Sequence, residues 1–110
     1  MIRVKICGLT ATRDVEAAAD AGADAVGFNF CRSNKRWIAP GDAAALARRL
    51  PTFVTRVGVF VDSPRDEIEA IASEVGLDAL QLHGDESPEL ARSLSRRVIR
   101  AVRVRDERDL

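Results

Sequence analysis

Cys7, Arg36 and His83, with the carboxylates Asp62, Asp85 and Glu86, are the side chains of this chain best suited to chemistry. A thiol has an ordinary pKa near ~8.5 and becomes a useful base where a positive environment favours the thiolate. Lys5 stands two residues before Cys7 and shares its face if the strand joining them is regular. A cysteine at a strand's end is equally a small buried hydrophobe, and spacing alone leaves both readings open. The planar guanidinium of Arg36 has the shape to meet a carboxylate through two parallel hydrogen bonds, or is simply solvated on its loop, as Arg32 and Lys35 are read to be. His83 is the only histidine, and a lone imidazole is as readily a satisfied structural group as a ligand contact. Asp85 and Glu86 read as carboxylates at a helix N-terminus, where they favour the dipole.

These residues must be positioned by alternating strands and helices. Arg3–Cys7 reads as a strand, and Thr12–Ala21 as a helix capped by Thr12 and stopped by Gly22. Ala25–Phe30 is a strand, followed by the loop "CRSNKRWIAP" through Pro40 and a helix over Asp42–Leu50. The β-branched run Val54–Val61 is a strand. Ser63 caps a helix that opens with Pro64, runs to Val75 and ends at Gly76. Ala79–Leu82 is a strand, Ser87 and Pro88 open a helix to about Leu94, Val98–Val104 is a last strand, and "RDERDL" reads as the start of another helix. "AGADAVGF" and "VGLDALQL" repeat one pattern, so the same helix-to-strand turn is expected twice, at Gly22 and Gly76.

Strict alternation implies a parallel sheet, and the nearly continuous apolar strands Ala25–Phe30 and Val54–Val61 imply cover on both faces. A doubly wound open sheet and a piece of a (β/α)8 barrel both fit. In either, ligands bind at the carboxyl ends of the strands. Those ends carry Cys7-Gly8, the Cys31–Trp37 loop, Asp62, and His83-Gly84-Asp85. No G-x-G-x-x-G follows the first strand and "CGLT" is no Walker A loop, which lowers a nucleotide-binding reading.

The 110 residues suit one small domain. Net charge is zero, so nothing global draws the chain to nucleic acid or anionic membranes. The arginine-rich "RSLSRRVIRAVRVRDERDL" lacks interleaved aromatics and is read as solvated, not as a nucleic-acid surface. No apolar run approaches the ~20 residues of a membrane helix, and the N-terminus lacks the zones of a signal peptide. Two cysteines are too few for a disulfide framework, so a reducing cytoplasm is expected. No CxxC pair or His/Cys cluster suggests a metal.

Four motifs carry a family resemblance: "KICGLT" at Lys5–Thr10, "GFNF" with "KRWIAP" through Pro40, "VGVFVD" at Val57–Asp62 and "LQLHGDE" at Leu80–Glu86. In this order they resemble phosphoribosylanthranilate isomerase, a tryptophan-biosynthesis enzyme, over the whole chain. The resemblance implies a (β/α)8 TIM barrel with parallel strands, of which this chain is the N-terminal portion of about five strands and four helices. It implies an Amadori rearrangement of a sugar-phosphate substrate without a cofactor, with Cys7 as general base. It makes Arg36 the clamp on the substrate's anthranilate carboxylate and His83 a substrate-binding group. Gln81 is read as a polar residue of the barrel interior, Cys31 as packing and Trp37 as a wall of the loop. Ser33-Asn34-Lys35-Arg36 departs from the family's frequent proline-serine-proline-arginine loop, and fewer prolines imply a looser seat for Arg36.

A complete barrel needs about 200–250 residues. Residues 1–110 are therefore read as an incomplete barrel domain, its N-terminal half, with the acid and the phosphate site beyond Leu110. The missing C-terminal half is its expected partner, and the fragment alone is expected to be inactive. The competing readings are a non-enzymatic half-barrel module that pairs with a second chain, and another sugar-phosphate barrel enzyme.

Overall fold

Strand β1 (Lys5–Cys7) begins a walk across a parallel sheet in the computed structural model, which describes residues 2–101. Helix α1 (Thr12–Asp20) leads to β2 (Ala25–Asn29), α2 (Pro40–Ala47) to β3 (Thr55–Phe60), α3 (Arg65–Val75) to β4 (Ala79–Leu82), and α4 (Pro88–Ser93) to β5 (Arg97–Arg100). The spatial order is β1-β2-β3-β4-β5, all parallel, with Ala25 beside Lys5 and Thr55, and Val57 beside Gly27 and Ala79. A doubly wound sheet reverses direction at a switch point. This one never does, so right-handed crossovers place every helix on the same side.

The burial pattern agrees. Val26, Phe28, Phe60, Leu80 and Leu82, alternate residues of their strands, and Phe30 just past β2 form one core with Val15, Ala44, Ile68 and Ala72 from the helices. Phe30 and Phe60 stack with ring centroids 5.3 Å apart. Each such side chain stabilises by roughly 1.5–3 kcal/mol when fully buried. The opposite parity, Cys7, Gly27, Val57, Val59, Ala79 and Gln81, faces the other side of the sheet. On that side Lys5 Nζ donates to Gln81 Oε1. The two strands lie three apart, about 14 Å along a flat sheet, so this contact spans a concave face, as in a curling barrel wall.

The repeated turn is present. Gly22 and Gly76 take φ of +84° and +78°, and the next amides, of Ala23 and Leu77, each donate 3.0 Å to a carbonyl five residues back. Asp24 then accepts the Val4 amide at 2.7 Å and Asp78 the Arg56 amide at 2.8 Å.

Three helix starts differ from expectation. Thr12 is the first helical residue of α1, behind an Ala11 N-cap without a side-chain bond. Pro64, not Ser63, is the N-cap of α3. Helix α2 begins at Pro40 and ends at Ala47, shifted toward the N-terminus of the expected Asp42–Leu50. Ser87 caps α4 as expected, its hydroxyl accepting the Leu90 amide at 3.1 Å. The residues expected to continue β5 to Val104, and the "RDERDL" helix, lie outside the described residues. None of the described helices is long and apolar enough to cross a membrane.

Candidate active site

Cys7 is the last residue of β1, exposed on the concave face, and both cysteines are free thiols. Its Sγ lies only 2.9 Å from where a Cβ on Gly27 would stand, so the thiol occupies space that the β2 glycine leaves open. Gly8 follows with φ +78° and donates its amide to the Gly27 carbonyl at 3.0 Å. Across Gly8 lies the side chain of Arg36: its Cδ overlaps the space of a Gly8 Cβ, and Nη1 is 3.2 Å from it. The structure thus brings the guanidinium onto the residue that follows the candidate base. Arg36 is exposed and forms no ion pair among the described residues.

The loop carrying Arg36, which lacks the family's prolines, is held by asparagines. Asn29 Oδ1 accepts the Cys31 amide at 2.8 Å, and Asn34 Oδ1 accepts the Arg36 amide at 2.8 Å. Backbone bonds from Asn34 to Cys31, from Trp37 to Asn34 and from Ile38 to Asn29 close the loop at 3.0–3.1 Å. Asn side chains bind their own backbone two residues on and so mimic a turn. Cys31 is half-buried, its Sγ 3.2 Å from Ser33 Oγ, and Trp37 is 40% exposed beside Asn29.

His83 stands one residue beyond β4 on the same rim, exposed, its amide extending the ladder to the Phe60 carbonyl at 2.9 Å. Gln81, two residues earlier, faces the interior as expected. Arg36 lies against Gly8, the residue that follows Cys7; His83 joins them by its place at the same end of the sheet, not by a contact.

Glu86 corrects its reading as a helix-terminal carboxylate. It precedes the Ser87 N-cap, is buried, and serves no amide of α4. Its Oε2 accepts the Asp62 amide at 2.7 Å and its Oε1 the Gly84 amide at 2.9 Å. Arg100 Nη1 pairs with Oε1 at 3.2 Å and with the Glu86 carbonyl at 2.7 Å. Asp85 also lies before the cap; its amide donates to Asp62 Oδ1 at 2.8 Å. The signal available in sequence was Arg100, a strand arginine set beside Leu82 on the core-facing parity.

Residues 4–110 match the family model of N-(5'phosphoribosyl)anthranilate (PRA) isomerase. The chain is 49% identical over its whole length to an N-(5'-phosphoribosyl)anthranilate isomerase of Pelobacter propionicus, of which it covers 53%. It is 50% identical to that of Thermotoga maritima, covering 55% of it. A crystal structure of phosphoribosyl anthranilate isomerase in complex with reduced 1-(o-carboxyphenylamino)-1-deoxyribulose 5-phosphate superposes with a TM-score of 0.97 at 50% identity, over 99% of this chain and 57% of that one. The Thermotoga maritima enzyme superposes equally well, with a TM-score of 0.97 over 99% of this chain and 54% of that one. The chain spans about half the length of the curated relatives it matches. It belongs to the N-(5'-phosphoribosyl)anthranilate isomerase family.

Proposed function

We propose that, in its complete barrel, this chain catalyses the Amadori rearrangement of N-(5-phosphoribosyl)anthranilate to 1-(2-carboxyphenylamino)-1-deoxyribulose 5-phosphate in cytoplasmic tryptophan biosynthesis. One observation carries the reading: at the carboxyl end of β1 the free thiol of Cys7 stands exposed, and the Arg36 side chain lies against the next residue, Gly8. The reaction opens the ribose ring as its ring oxygen takes a proton, removes the proton from sugar C2, and relaxes an enolamine to the ketone. Cys7 thiolate is the base for C2. Arg36 binds the anthranilate carboxylate with two parallel hydrogen bonds, which sets C2 against the thiol. His83 contacts the substrate from the opposite side of the rim. The proton for the ring oxygen and the phosphate site come from the barrel beyond Leu110, and a reducing cytoplasm keeps Cys7 free. The relative crystallised with the reduced product supports this ligand class.

The test is Cys7→Ala in the complete enzyme. Turnover is expected to fall by about 10²–10⁴-fold, the range for loss of a general base, with the thermal transition unchanged. Near wild-type turnover would remove Cys7 from the mechanism.

A further inference from the structure

The exits of β3, β4 and β5 converge on one buried carboxylate. Glu86 has a side chain 1% exposed, yet it stands on a rim loop. Its two oxygens each take a backbone amide from a different strand exit, Asp62 after β3 and Gly84 after β4. Arg100, the last residue of β5, closes the third side by binding both the carboxylate and the main-chain carbonyl of Glu86. Asp62 pays a conformational penalty within this arrangement. It has φ +50°, the one positive φ at a non-glycine among the described residues. Its carboxylate in turn accepts the Asp85 amide. A residue held in that region persists where its surroundings over-determine it. Here the Glu86 and Asp85 bonds do so. Between the two clasped amides of the β4 exit and the strand itself lies a single residue, His83.

We propose that Glu86, locked by Arg100, is a positioning residue that fixes the β3 and β4 exits so that His83 presents its imidazole to the substrate. The proposal rests on the isomerase reading for its substrate, but its geometry is independent of Cys7 and Arg36, which stand on β1 and the β2 loop.

Glu86→Gln tests it in the complete enzyme. An amide offers one oxygen, so one of the two backbone amides loses its acceptor while the shape is kept. Small misplacements of a binding group cost up to ~10²-fold, so kcat/KM is expected to fall roughly 10–100-fold. In a His83→Ala background the same substitution is expected to cost less than about threefold, because the group it positions is gone. Cys7 alkylation by iodoacetamide is expected to keep its wild-type rate in Glu86→Gln, since the β1 side is untouched. The His83 ring resonance, assigned by its loss in His83→Ala, is expected to shift or broaden. Equal losses in the two backgrounds, or a His83 resonance unchanged by Glu86→Gln, would overturn the proposal. Should Glu86→Gln not fold, Arg100→Lys keeps the charge and gives up the two-point grip. It is held to the same comparison, with a loss of about three- to tenfold expected only where His83 is present. A wild-type enzyme without turnover would count against the isomerase reading alone, and the His83 resonance would then decide the clasp.

Discussion

Cys7 and Arg36 each occupy space that a glycine leaves open, and that makes a residue-scale prediction. A methyl on Gly27 would stand 2.9 Å from Sγ, closer than such atoms approach. Gly27→Ala is therefore expected to push the thiol off its place and lower kcat/KM by roughly 10–100-fold, with a stability loss of about 1–3 kcal/mol from overpacking. Steady-state kinetics beside a denaturation curve check both; full kcat/KM would show that the thiol does not need this seat. At this scale Cys7, Arg36 and His83 could be proposed from the sequence because short motifs carry them. Glu86 could not. Its amide donors lie 24 and 2 residues away and its cation 14 away, and a site assembled from separate segments leaves no local pattern. A glutamate two residues before a helix proline looks like any solvated carboxylate until the partner strands are in place.

Between elements, the side chains that join helices to strands carry the stability that sequence periodicity does not show. Glu69 on α3 accepts the Ser95 hydroxyl at 2.7 Å and the Ser95 amide at 2.8 Å, tying α3 to the approach of β5. These bonds to the ionised form, the hydroxyl first, hold its carboxyl below the usual range, with weaker help from Arg65 and Arg96. A folded-state pKa below the unfolded one means stability present above the unfolded value and lost as pH falls through the folded one. Glu69→Gln is accordingly expected to destabilise at neutral pH, with the gap from wild type closing below about pH 4. Thermal unfolding of both proteins across pH 3–7 measures it; a gap independent of pH would show that the charge contributes nothing. Helix ends divide along the same line. Gly76 and Ser87 act on their own neighbours, and sequence placed them correctly. The end of α2 is made by Arg56, whose guanidinium binds the carbonyls of Ala47 at 2.9 Å, Leu50 at 3.1 Å and Val54 at 2.7 Å. That arginine sits on β3, so the sequence alone sets the helix end three residues too late.

For the whole molecule, parallel alternation was legible from Ala25–Phe30 and Val54–Val61, but barrel and open sheet differ only in spatial order, which no single segment encodes. The observed order decides it, and it also fixes what a polypeptide of these 110 residues alone must lack. Among the described residues β1 pairs only with β2 and β5 only with β4, so each presents an unpaired edge. The concave face exposes Ile99, Thr55 and the Lys5–Gln81 pair, groups that a closed barrel packs in layers. The proposed base and carboxylate clamp stand on β1 and the β2 loop, whereas the proposed acid and phosphate site require strands past Leu110. Loss of a proton-transfer partner costs ~10²–10⁴-fold, and loss of phosphate contacts removes remote binding energy that supports kcat. The isolated 110-residue polypeptide is therefore expected to self-associate and to show no measurable consumption of phosphoribosylanthranilate. Mixing it with the complementary half of a relative's barrel is expected to restore part of the activity by covering both edges. Mass in solution and an assay free of host enzyme, before and after mixing, test this. Robust turnover by a monodisperse 110-residue chain would mean that Cys7, Arg36 and His83 suffice, and that the proton donor for the ring oxygen lies within these five strands.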